Sequence, residues 1–537
     1  MNRAWEPVSG RCDAPAAPGG PGGQRSQGAG FLAWARAGDW VNPVAVKEFR
    51  QAVQSRWVIG VLLIFLLIDL GIVGGYLAMT PEAATSSHGG RDVCGGLLTI
   101  LLLTCIAFVP LYTGIRLSLE RNDTNLDLLF VTTISPGAIV RGKYLTAMAL
   151  TLLMFSVCMP FIALTYLLRG VDLPTIFFLL AHGFLFCAVA NGLGVFAGAV
   201  SGSWFIRGVV DLGALLGLLY LAVVATALSQ SVLMFGTGMV FSHMDWSEYG
   251  ITLLIAGLGL GLLYVLSVCL LSPRSSNRMF VPRLYITGSW MLVGILMIAL
   301  SHWERTPWPI ESWVVCSGAA FAVLMVAALG ERDAWSARVR QRIPRHPLLR
   351  LVAFVFYTGS AGGVLWCVLL YGITSVTARL WVGQMGLATT SFENLCGTTS
   401  FVFGYALCYC LTAAVLRVTV LRSVAPINVA ATAIFVGVGV WLVPYFTAFL
   451  LSSDRFEEPS WCLLASPMVL ATDDDAAKAA APVLIAAWLC VGVWGGLAWM
   501  LGQFRRFTPY HAVRVSTEGN PTTAAGDGSD PATGAAP

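Results

Sequence analysis

Charge is what this sequence has least of: Asp, Glu, Lys and Arg together make up 11% of its 537 residues, against about 25% in an ordinary globular protein. With hydrophobic residues at 57%, too little polar surface remains for a chain of soluble domains, and a cytosolic enzyme is excluded. Disorder as the general state is excluded as well, because it requires low hydrophobicity and high net charge. Residues 1 to 30 contain no apolar run of the kind a secretory signal needs and read as a flexible Gly/Pro/Ala tail. The stretch from Thr517 onward reads the same way. Catalytic signatures are missing too. No His-Glu-x-x-His or Gly-x-Ser-x-Gly occurs, and the six histidines share no ligand spacing. The segment Gly137 to Tyr144 approaches a phosphate loop but places Tyr144 where a hydroxyl must meet Mg²⁺, and no strand precedes it. The net charge of +4 by itself says little about nucleic-acid or acidic partners. Most of the thirteen cysteines lie inside apolar runs, where a thiol acts as a small hydrophobe; a disulfide among Cys94, Cys396 and Cys462 is left open.

What the sequence has in abundance is long apolar runs. A helix needs about 20 mostly apolar residues to cross a bilayer, and such runs fall near 57–79, 97–117, 145–168, 174–199, 209–228 and 250–271. Six more fall near 285–303, 312–330, 350–372, 399–421, 428–451 and 482–502. The expectation is an all-α polytopic integral membrane protein with about twelve transmembrane helices. Placing the amino terminus in the cytoplasm puts 26 of the 32 Lys and Arg residues on that side. The others are Arg91, Arg169, Arg305, Arg379, Arg455 and Lys478. That asymmetry is the positive-inside pattern, and an error of one span would spoil it. Both termini are accordingly read as cytoplasmic, in what is expected to be a bacterial inner membrane, with loops 229–249 and 452–481 outside.

Acidic residues within or beside the spans suggest other chemistries. Asp69 in the first span and Asp211 in the fifth are costly in lipid, about 2.5 to 3.5 kcal/mol each at a span centre, and an ion-coupled or proton-coupled secondary carrier would use such groups. Asp123 and Asp127, one helical turn apart on a loop, are in principle able to hold Mg²⁺ for a diphosphate substrate, as in a membrane prenyltransferase. Leu119 stands where the Asn of that enzyme pattern belongs, and no second Asp-xxx-Asp loop answers the pair. Asp473 to Asp475 read as a solvated run.

Two elements on the base-rich side are built for contact. Residues 42–56 open with Asn42 as a cap and Pro43 at the first helical position. Val46, Phe49, Val53 and Trp57 then share one face, with Lys47, Arg50, Gln51 and Gln54 on another, which describes an amphipathic helix in the membrane interface that also carries Glu48. In the loop between the second and third spans, Leu126, Leu129 and Phe130 form a short apolar stripe apart from Asp123 and Asp127. Ser135 and Pro136 then restart a helix.

This loop resembles the first cytoplasmic loop of ABC-2-type ABC transporter permeases, with Glu120, Arg121, Thr124, Leu126, Leu128, Leu129, Thr132, Ser135, Pro136, Gly142 and Lys143 matching that pattern. Asp123 and Thr133 stand where Gly and Pro are usual. The order of parts over residues 42–283 is similar to that family as well. The resemblance implies a permease core at 39–283 between a tail (1–38) and a second six-span region (284–510), followed by a tail at 511–537. It implies that a separate ATPase subunit supplies the hydrolysis that drives export, and that this chain is itself no enzyme, binds no cofactor and has no nucleic-acid partner. Glu120, Arg121, Thr124, Leu126, Asp127, Leu129, Phe130, Ser135, Pro136 and Lys143, within a coupling loop at 118–143, would meet that subunit, flanked by Val46, Glu48, Phe49, Arg50 and Val53 of the connecting helix 42–56. Besides the ATPase and lipid, pairing of two copies or with another permease stays open. In the second half, Glu331-Arg332 and Pro347 repeat the offsets of Glu120-Arg121 and Pro136, as a degenerate repeat or an accessory domain would.

Overall fold

A computed structural model of the chain describes residues 43–79, 89–122, 135–168, 171–200, 204–236, 246–273, 276–419 and 475–509, with isolated positions between 434 and 439. These residues form helices and connections, with no strand among them. In chain order the helices are α1 (Pro43–Val53), α2 (Arg56–Met79), α3 (Gly89–Asn122), α4 (Pro136–Leu167), α5 (Leu173–Ala199), α6 (Trp204–Phe235) and α7 (Trp246–Leu271). The second half supplies α8 (Phe280–Glu304), α9 (Trp308–Leu329), α10 (Ala337–Arg340), α11 (Pro347–Phe356), α12 (Ser360–Gln384), α13 (Thr390–Thr419) and α14 (Asp475–Arg506). Eleven of them are long and apolar enough to cross a membrane. Every backbone polar group in hydrocarbon must be satisfied within its own segment, and helices of this length and composition do that. The chain is an all-α polytopic integral membrane protein. The expected span at 428–451 lies outside the described residues. Gly404 packs on Ile485, Leu411 on Gly492 and Val415 on Gly495, so α13 and α14 run parallel. Their joining ends, at 419 and 475, are therefore at opposite ends of the bundle.

The helices gather around two cores. In the first, α3 is the centre, with α2, α4, α5 and α6 around it; Leu97, Leu101, Cys105 and Ile106 are fully enclosed there against Met154, Cys158, Leu179 and Cys187. Pro110 removes one backbone bond inside α3, and α5 presses glycines against that stretch. A Cβ on Gly194 would lie 2.5 Å from the Pro110 carbonyl oxygen, and one on Gly198 would strike Gly114. By contrast, Gly71, Gly75 and Gly257 meet nothing within 4 Å. The second core is built by α8, α9, α11, α12, α13 and α14 and is rich in aromatic rings, among them Phe321, Trp335, Phe354, Trp366, Tyr371 and Phe507. Arg283, the last residue of the expected first domain, belongs to this second core, because α8 starts at Phe280 and carries the side chain inward. α7 and α8 join the halves: Tyr285 donates to the Leu258 carbonyl at 2.9 Å and packs over Gly261.

Several span boundaries differ from the sequence expectation, and local packing explains two of them. The fifth span continues through Phe235 rather than stopping at 228, because Val232 and Leu233 are buried and Gln230 reaches the Gly95 carbonyl and Thr99, both at 3.0 Å. α12 also begins only at Ser360, because α11 is a separate helix, set off by extended backbone at Tyr357 and Gly359.

Candidate coupling site

Helix α1 lies against α4. It presents its small side chains, Ala45 and Ala52, to that contact, both buried together with Glu48. Small residues on that face bring the two backbones close, and Thr146 of α4 donates to the Ala45 carbonyl at 3.3 Å. A neighbouring side of α1 is apolar and uncovered, with Val46, Phe49, Val53 and the following Trp57 all exposed, and the far side carries the exposed Lys47, Arg50, Gln51 and Gln54. An exposed apolar stripe on a helix beside a span belongs in lipid or against a partner, and here it flanks the packed face.

The centre of the site is Lys143, on the first turns of α4 and 2% exposed. Its ammonium donates to Glu48 of α1 and to Glu120 at the end of α3, each at 2.7 Å. Two acids on one buried base neutralise it and leave one negative charge, and Glu120 carries that charge toward solvent with 45% of its side chain exposed. A second tie joins the same elements. Arg116 of α3 donates to Gln51 of α1 at 3.3 Å and to the Tyr112 hydroxyl at 3.0 Å. The α4 start is itself fixed, with Ser135 capping the Ala138 amide at 3.3 Å and Pro136 at the first position.

Of the residues expected here from sequence, Glu48, Glu120 and Lys143 come together in one cluster, and Ser135 and Pro136 start the helix that carries Lys143. Lys143 is enclosed rather than presented outward. Arg50 is exposed on α1. Arg121 closes α3 with its side chain outside the described residues, and Thr124, Leu126, Asp127, Leu129 and Phe130 lie outside them altogether, as do Asp123 and Asn42. Sequence reasoning missed Arg116, Gln51 and Thr146. The available signal for Arg116 was its place one helical turn before Glu120, on the same face.

An acid in the corresponding place of the second half is also held by a buried base. Glu331, just past α9, receives Arg283 Nη2 at 2.6 and 2.7 Å and the Gly359 amide at 2.8 Å. Arg283 also donates to the Val355 and Tyr357 carbonyls at 2.8 and 2.6 Å. Burial raises the Glu331 carboxyl above the usual carboxylate range, and the Arg283 charge and the Gly359 amide oppose that rise. Asp333 accepts from Ser360 at 2.6 Å and from Gln503 of α14 at 3.1 Å.

The remaining sequence candidates separate clearly. Asp211 is exposed and faces Arg207 at 3.9 Å. Asp69 is fully buried in the first core, its carboxyl oxygens without a hydrogen-bond partner at normal distance and the Cys158 thiol as polar neighbour. Cys94 and Cys396 are buried free thiols, and Cys462 lies outside the described residues. Among the described residues no three His, Cys, Asp or Glu side chains gather as a metal site. Fold and site thus define a polytopic helical membrane protein whose first described helix, α1, is ion-paired through Lys143 to the neighbouring spans α3 and α4. Compared with known protein families, curated proteins and solved structures, the chain matches none.

Proposed function

We propose that the chain is the membrane-spanning permease subunit of an ABC-2-type ABC transporter, converting ATP hydrolysis by a separate ATPase subunit into substrate export. One observation carries this reading: Lys143 ties α1, α3 and α4 into a single unit at the two roots of the 123–134 loop. A push on that loop is then delivered to three helices together, and through α3 to the centre of the first core. The 120–143 loop would seat Leu126, Leu129 and Phe130 in a groove of the ATPase, with α1 alongside. In this reading the base-rich end of the bundle and both termini face the cytoplasm, and the membrane is the inner membrane of a bacterium.

The test is co-purification with a nucleotide-binding subunit before and after Leu129→Asp. An uncompensated charge placed in a buried contact costs several kcal/mol, and about 3 kcal/mol weakens association more than a hundredfold. The variant is expected to accumulate in the membrane while losing its partner. Retained binding, or loss of accumulation, defeats the assignment. Asp69 favours a second reading, a proton-coupled or ion-coupled carrier, since an enclosed carboxyl in a span is a usual ion site. Transport that collapses with the pH gradient while ATP is present would select it.

A further inference from the structure

Between α9 and α12 the chain forms a platform whose outward-facing charge is all positive. Trp335, Val339 and Ile343, spaced four apart, are buried and fix the segment to the second core. Ser336 caps α10, Trp335 donates to the Thr358 carbonyl at 2.6 Å, and the Tyr357 hydroxyl donates to the Arg342 carbonyl at 3.2 Å. The bases between and beside those anchors are on the surface: Arg332, Arg338, Arg342 and Arg345 are exposed and form no ion pair among the described residues. The two acids of the segment, Glu331 and Asp333, are both committed to inward partners. Arg505 and Arg506, also exposed, close α14 beside this platform, because Arg350 of α11 donates to the Phe504 and Phe507 carbonyls at 2.7 and 2.6 Å.

α11 completes the surface. Its inner side buries Ala353 and Phe354. Its outer side is wholly apolar: Leu348 is 69% exposed, Leu349 58%, Leu351 45% and Val352 55%. Four uncovered Leu and Val on a helix between two spans fit the acyl boundary of a leaflet, and the preceding arginines then stand at headgroup level. From this placement we propose that residues 332–352 together with Arg505 and Arg506 form a binding surface for anionic phospholipid. The apolar face enters the acyl region, and the guanidinium groups pair with headgroup phosphates, which they suit by their fork of donors. The surface holds independently of any ATPase assignment.

Each exposed base near an anionic surface adds about fivefold in affinity, so the array discriminates by charge. The test uses the full chain in a neutral detergent, melted with equal mole fractions of dioleoylphosphatidylglycerol or dioleoylphosphatidylcholine. The anionic lipid is expected to raise the midpoint by several degrees more than the zwitterionic one, and about 0.5 M sodium chloride is expected to erase that increment. The triple variant Arg338→Gln/Arg342→Gln/Arg345→Gln is expected to melt as the parent does without lipid and to lose half or more of the increment, and the triple Lys variant to keep most of it. Equal effects of the two lipids, an increment that survives the salt, or one that free glycerol phosphate reproduces each overturn the proposal. An increment left whole in the triple Gln variant also overturns it and points to an acidic protein segment as the occupant. The salt arm needs only the parent protein, so poor expression of a variant does not shield the idea.

Discussion

Lys143 shows how unequal two equally short ion pairs can be. Glu48 is almost as buried as the lysine, whereas Glu120 is half in solvent, and solvent screening leaves an exposed pair worth under about 1 kcal/mol. Removing one member of a buried pair strands the other charge and costs about 3 to 5 kcal/mol. Lys143→Met is therefore expected to destabilise the protein by about 3 kcal/mol or more, and Glu120→Gln by less than about 1. The double variant Glu48→Gln/Lys143→Met is expected to recover much of the loss, because no charge is then left alone. Melting of the four purified proteins in one detergent measures this; a Glu120→Gln loss as large as that of Lys143→Met would refute the ranking. The sequence places Glu120 and Lys143 near the ends of spans and Glu48 on the short amphipathic helix before the first span. It does not show that they meet, because a pairing across 95 residues depends on how α1 lies against α4.

Individual elements were legible to different degrees, and the reason lies in periodicity. The apolar runs mark the spans because burial in lipid needs length and composition, both of which are local properties. The amphipathic stripe Val46, Phe49, Val53 and Trp57 was readable for the same reason. α11 was not, since its outward Leu and Val merge with the apolar run that follows, and only the turn at 357–359 separates the two. Glycine spacing was the least informative signal. Gly71 and Gly75 have the same spacing as Gly194 and Gly198, yet only the second pair is pressed against another helix. Gly194→Leu is accordingly expected to separate α5 from α3 and cost several kcal/mol, as overpacking at a backbone contact does; Gly71→Leu is expected to be tolerated. Detergent-resistant folded yield, read by size exclusion, distinguishes the two, and equal losses would remove the α3–α5 contact from the account.

For the whole molecule, the positive-inside count and the helix order make one joint statement about sides. Exposed residues flank α12 on either side in the chain, Ala337 at the start of α10 before it and Ala388 after it. In a background with Cys12, Cys316, Cys462 and Cys490 replaced by serine, a membrane-impermeant thiol reagent applied to intact cells is expected to label Ala388→Cys and spare Ala337→Cys. The reverse labelling would turn the proposed orientation over, and with it the placement of the 123–134 loop opposite a cytoplasmic ATPase.

The clasp of Arg350 and Asp333 on the end of α14 also has a consequence for biosynthesis. Gln503, Phe504 and Phe507 are made more than 150 residues after the groups they satisfy. The ribosome therefore threads α9 to α13 into the bilayer while those polar groups still lack their partners. Translation thus gives the two halves unequal histories: the first core can close during synthesis, and the second is completed only when the final helix arrives. A chain that stops before α14 leaves Arg350 without its two carbonyl acceptors and Asp333 without Gln503, so the last helix is the one that completes the second half.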